Sequence, residues 1–205
     1  LVEAGYRAVT IDTRGHGRSS RDARPFSYRQ LAADTRAVMD HLGIARAALV
    51  GWSDGADTGL VLAKGTPERV AGLLFFACNV DASGTLPFHM TPAIERILAQ
   101  NRKDYAALSP TPDEFDTVFA AVGEMQRSQP NYSAADLGGI RVPVLSLIGE
   151  HDEFIRREHA EYIAASIPGA RFDMLPGVSH FAMLQRPAVF NAAMLRFVKS
   201  VLPGP

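Results

Sequence analysis

The chain has 205 residues, of which 47% are hydrophobic and 21% charged, enough to bury one sizeable core in an ordinary globular protein. A net charge of -1 gives no general attraction to nucleic acid or to an anionic membrane surface, and no apolar run reaches the roughly twenty residues of a membrane helix. Leu1 to Gly5 is no signal peptide, so a cytoplasmic protein is expected. One cysteine, Cys78, cannot close an internal disulfide.

In chain order, Tyr6 to Thr13 reads as a strand. The stretch after it carries Arg14, Arg18, Arg21, Arg24 and Arg29. Without interleaved aromatics or a basic global balance it reads as a structural loop, not a phosphate groove. Ser27 with Gln30 forms a capping box, and Leu31, Val38, Met39 and Leu42 mark one helical face before Gly43 ends it. Strands follow at 47 to 52 and 70 to 78, the second placing Cys78 in a buried run. Between them lies a small-residue helix, kept close to the sheet by Gly55, Ala56 and Gly59.

Residues 79 to 139 interrupt the alternation and carry helical signals of their own, which predicts an inserted helical lid. Thr91-Pro92 starts one helix with Ile94, Ile97 and Leu98, and Thr111-Pro112-Asp113-Glu114 starts another through a second capping box. The second helix aligns Phe115, Val118, Phe119, Val122 and Met125. That face either closes over the site or packs on the main domain. The sequon Asn131-Tyr132-Ser133 has no secretion signal to make it meaningful.

Strands at 143 to 149 and 171 to 175 bracket a helix at 155 to 167. A last helix from Pro187 turns Val189, Phe190, Ala193, Met194, Phe197, Val198 and Val201 inward. Strands alternating with helices predict an α/β, doubly wound, mostly parallel sheet. Its core is formed by 1 to 78 and 140 to 205, with 79 to 139 inserted.

The chemistry concentrates at strand ends. Ala47 to Trp52 breaks into Gly51-x-Ser53-x-Gly55 ahead of a helix, the pattern of a nucleophile elbow, in which the serine is held strained on a sharp turn. Ser53 needs a base and a carboxylate to orient that base. Asp152 follows the strand at 143 to 149, and His180 stands on the loop after the strand at 171 to 175. Each has a plain structural reading alone, as turn serine, helix cap and polar loop residue. The order nucleophile, acid, histidine, each on the proper strand end, points to catalysis. Glu150, Glu153 and the more remote Asp81 are alternative acids. His151 beside Asp152 has no further histidine or cysteine at ligand spacing, so no metal is expected.

With these motifs the chain resembles the α/β-hydrolase superfamily over nearly its whole length. Tyr6 to Thr13 and Arg14-Gly15-His16-Gly17-Arg18-Ser19 are similar to the strand and loop before its elbow. Gly51-Trp52-Ser53-Asp54-Gly55 is most similar to the valacyclovirase, or biphenyl-hydrolase-like, group, with Ala56 in place of that group's second glycine. The resemblance implies a cofactor-free serine hydrolase cleaving a small ester or amide, with Ser53 as nucleophile, His180 as base and Asp152 as orienting acid. The backbone N-H of Asp54 is the implied oxyanion donor. Trp52, Phe88, His89 and Phe181 are expected around the substrate, with the Asp54 carboxylate holding a substrate amine.

Carbon-carbon bond hydrolysis, perhydrolysis and non-catalytic ligand binding are the alternatives. The expected partner is a small molecule, with neither nucleic acid nor membrane. In the superfamily a further strand lies between those matching Tyr6 to Thr13 and Ala47 to Trp52, and the loop after it supplies the second oxyanion donor. With both missing from these residues, the chain is expected to be a piece of a longer one.

Overall fold

A computed structural model describes residues 1 to 202 and Gly204. Four parallel strands, β1 (Ala47–Trp52), β2 (Val70–Phe76), β3 (Val144–Gly149) and β4 (Arg171–Leu175), lie side by side in that order. The helices are α1 (Tyr28–His41), α2 (Asp54–Gly65), α3 (Pro92–Leu108), α4 (Phe115–Ser128), α5 (Ala134–Gly138), α6 (Arg157–Ser166), α7 (Ala182–Gln185) and α8 (Pro187–Val201).

The two central strands, β2 and β3, are buried along their whole length, as expected of strands covered on both faces. Their side chains alternate. Leu73 and Phe75 join Leu60, Ala63, Ile163 and Ile167 of α2 and the α6 segment on one face. Leu74, Phe76 and Leu147 meet Phe190, Ala193 and Phe197 of α8 on the other. Helices on both faces of a parallel sheet make this the doubly wound α/β architecture. β2 stops at Phe76, two residues short of the expected end, because Ala77 adopts φ 57 and turns the chain out of the sheet.

Tyr6 to Thr13 is not a strand. A cleft of about 960 Å³ separates this segment from β1, with Val9, Ile11 and Asp12 on one wall and Ala48 to Gly51 on the other. Extended chain becomes a strand by exchanging backbone hydrogen bonds with a neighbour, and across this cleft there is none. Among the described residues β1 is therefore an edge strand, paired to β2.

Of the expected capping boxes, Ser27 does accept the Gln30 N-H, but the Gln30 side chain reaches Asp34 instead of returning. Thr111 makes no cap, its hydroxyl being engaged by Tyr105, and Glu114 pairs with Arg21. A complete box forms at Ser133 and Asp136, opening α5. Val118 and Met125 of α4 are buried against Phe26, Tyr28 and Leu31, so much of its apolar face packs on the start of α1. Among the loop arginines, Arg14 is paired to Asp34 and Asp22, Arg18 to Asp12 and Arg24 to Asp22. No helix among the described residues is long and apolar enough to cross a membrane.

Candidate active site

Ser53 is the residue between β1 and α2, and its backbone sits at φ 51, ψ -127. A non-glycine residue there is strained, and the surroundings must enforce it. They do so by pairing the Ser53 N-H to the Phe76 carbonyl at 2.9 Å and the Ala56 N-H to the Ser53 carbonyl at 2.7 Å. The glycines flanking the elbow are not equivalent. A Cβ on Gly51 would lie 2.5 Å from the Ala56 Cα and the Gly55 carbonyl oxygen, whereas one on Gly55 would meet nothing within 4 Å. The close approach of helix and sheet therefore needs Gly51 and, against Leu73, Gly59, whereas Gly55, expected to keep the helix close to the sheet, is not needed for it.

The first N-H of α2, that of Asp54, has no acceptor among the described residues. It lies at the positive end of the helix dipole, beside the serine.

The expected acid and base lie across the sheet's carboxyl ends. Asp152 accepts the backbone N-H groups of Phe154 and Ile155, each at 2.9 Å, and faces the His180 Nδ1 at 3.1 Å. Both side chains are almost wholly buried. The alternative acids serve elsewhere. Glu153 accepts the His180 backbone N-H, Glu150 accepts that of Gly177, and Asp81 caps a turn through Ser83.

Gly149 lets the two loops touch, since a Cβ there would lie 2.5 Å from the Ser179 carbonyl oxygen. Ser179 is clamped in turn by Gln185, which accepts its N-H and donates to its hydroxyl, both at 2.7 Å. Nothing in the sequence pattern singles out Gln185, which acts only through the fold of α7 back onto the loop.

Aromatic rings surround the histidine. Trp52, adjacent to Ser53, lies 5.6 Å from the His180 ring, Phe181 5.4 Å and Phe154 4.7 Å. Phe88 stacks on Phe154 at 6.0 Å and is 58% exposed. Trp52, Phe181 and Phe88 thus form one cluster, joined by Phe154, which the sequence reading missed. His89 is exposed. The Ser53 hydroxyl makes no hydrogen bond among the described residues.

The Asp54 carboxylate is engaged within the protein. Its two oxygens accept from the Tyr28 hydroxyl at 2.7 Å and the Gln126 side-chain amide at 2.9 Å. Burial raises this carboxyl above its ordinary value, opposed by those hydrogen bonds. Beneath it Asp57 is fully buried and accepts from the Cys78 thiol at 3.1 Å, and burial pushes its carboxyl well above the usual range. Among the described residues no three metal-ligating side chains converge.

The fold recurs in known proteins. The chain is 28% identical to RutD of Caulobacter sp. (strain K31), provisionally named a carbamate hydrolase, covering 94% of this chain and 81% of that protein. It is 26% identical to a non-heme haloperoxidase of Rhodococcus erythropolis, covering 98% and 85%. Among solved structures, the enol-lactonase of Burkholderia xenovorans LB400 superposes with a TM-score of 0.74 at 24% identity, covering 91% of this chain and 78% of that one. Residues 1 to 193 match the Alpha/beta hydrolase family, to which the chain belongs as an enzyme of the hydrolase type.

Proposed function

We propose that this protein is a serine hydrolase that cleaves small carboxylic esters or amides through an acyl-enzyme. The observation that carries the reading is a strained serine at the end of β1 whose neighbour Trp52 packs on a histidine held by a buried aspartate. With Nδ1 held by Asp152, Nε2 is the ring nitrogen left to take the proton of the nucleophile. His180 takes the Ser53 proton as Oγ attacks the carbonyl carbon. The resulting oxyanion is met by the Asp54 N-H, and removing one donor from such a site costs about 3 kcal/mol. His180 then protonates the leaving group, and a water deprotonated by the same imidazole releases the acid.

Trp52, Phe181 and Phe88 supply an apolar wall for the substrate, and the protein requires no cofactor. Both Asp54 carboxylate oxygens already accept from Tyr28 and Gln126, so the α-amino preference implied by the valacyclovirase-like motif is a separate question from turnover. Carbon-carbon hydrolysis and perhydrolysis would use the same triad. A fluorophosphonate should label Ser53, and at least one small ester in a chromogenic panel should be turned over. Absence of labelling on folded protein overturns the reading in favour of a non-catalytic ligand-binding site.

A further inference from the structure

The Asp54 carboxylate joins three elements that are distant in sequence. Its oxygens receive Tyr28 from the first residue of α1 and Gln126 from the last turn of α4. The Tyr28 backbone N-H also reaches the Gln129 side-chain oxygen at 3.4 Å, so the end of α4 is tied twice to the same spot. The other end of α4 is tied at Glu114 to Arg21 at 2.8 Å. Between those ties, Val118 and Met125 share a buried cluster with Phe26, Tyr28 and Leu31.

Asp54 is also the residue whose N-H stands beside Ser53. A backbone as strained as that of Ser53 persists only where its neighbours are held, and fixing both carboxylate oxygens holds the side chain of the next residue.

We infer that Asp54, Tyr28 and Gln126 form a clasp that docks the inserted helix α4 on the nucleophile turn, with Tyr28 and Gln126 acting as positioning residues for the Asp54 N-H. The inference rests on Ser53 being the nucleophile for its catalytic half. The docking half stands on geometry alone.

The test uses the whole chain with two readouts, amide exchange of residues 122 to 128 and turnover of 4-nitrophenyl acetate. Gln126 is exposed, so Gln126→Ala should fold normally. It should raise exchange in that segment about tenfold, the scale of one hydrogen bond to a charged group. It should lower kcat several-fold with little change in KM, because the N-H meets the transition state and not the ground state. Tyr28→Phe should act in the same direction.

Asp54→Ala should likewise raise exchange, whereas Asp54→Asn should restore slow exchange. An asparagine accepts from Tyr28, and a flipped Gln126 amide can accept from it. Unchanged exchange in Gln126→Ala overturns the clasp. Faster exchange with unchanged kcat overturns its link to the nucleophile turn. If the wild type neither turns over the ester nor labels with fluorophosphonate, the hydrolase reading fails together with that link, and the exchange data alone decide the docking.

Discussion

The two halves of the site are supported differently. Asp152 and His180 stand beyond the ends of β3 and β4, with β3 paired on both sides; their loops meet at Gly149 and are cross-tied through Glu150 and Glu153, and Gln185 clamps Ser179 of the histidine loop to α7. Ser53 stands at the end of β1, which is paired on one side and borders a wide cleft on the other. Among the described residues β1 and β4 are both edge strands; the candidate acid and base are held by the central β3 and by the ties between their loops, while Ser53 relies on the pairing to β2, the Gly51 crossing and the Asp54 clasp. A strained residue held mainly from one side should be the first part of the site to loosen.

The largest effects should come from breaking the chemistry in either half. Ser53→Ala should lower turnover by roughly 10⁴ or more with the fold intact, and His180→Ala nearly as much. The double variant should be little worse than either, because the two act as one unit. Steady-state rates on a chromogenic ester check this, and additive losses would show that the halves do not work together.

Next comes the glycine contrast. Gly149→Ala drives a Cβ against backbone carbonyls of the histidine loop and should cost about 1–3 kcal/mol or more. Gly55→Ala meets open space in the first turn of a helix and should be neutral or stabilising by up to about 1 kcal/mol. Denaturant midpoints decide between them, and a large loss at Gly55 would contradict the elbow geometry.

The support itself can be measured by amide exchange. Among the described residues, backbone N-H groups of β1 that do not face β2 have no ladder partner, so these N-H groups within 47 to 52 should exchange faster than those of 144 to 149. Equal protection would mean that β1 is covered after all.

The smallest effect concerns His159 of α6, which is buried and whose Nε2 accepts the Val80 N-H at 3.1 Å. Burial holds its pKa below the ordinary imidazole value. The unfolded chain therefore binds the proton more readily than the folded one. The stability tied to the neutral ring is complete above about pH 6.5 and is lost as pH falls from there through the folded value. Melting temperatures at about pH 7.5 and about pH 5.5 should differ more for wild type than for His159→Gln, which keeps an acceptor for Val80 but has no proton to gain. An equal difference would remove His159 from the account.

Much of this was legible from local pattern. The continuous apolar runs of β2 and β3, the Gly-x-Ser-x-Gly turn and the placement of Asp152 and His180 after their strands depend on neighbours close in the chain. Cap residues were legible only in part. Ser27 capped α1 as its type predicts, while Thr111 and Glu114 were drawn to Tyr105 and Arg21, partners that local spacing does not reveal.

The sequence by itself determined the fold class, the chain order of β1 to β4 with the helices between them, and Ser53 and His180 as candidates, because periodicity and turn chemistry act over a few residues. Tertiary structure decided that Tyr6 to Thr13 is not a strand, since a strand exists only where a neighbour accepts its hydrogen bonds. It decided that Asp152, and not Glu150 or Glu153, faces the imidazole, because three carboxylates within four positions differ only in where the loop aims them. It also brought Tyr28, Asp54 and Gln126 together from three separate segments, a contact made by packing α4 on α1, which no local sequence signal records.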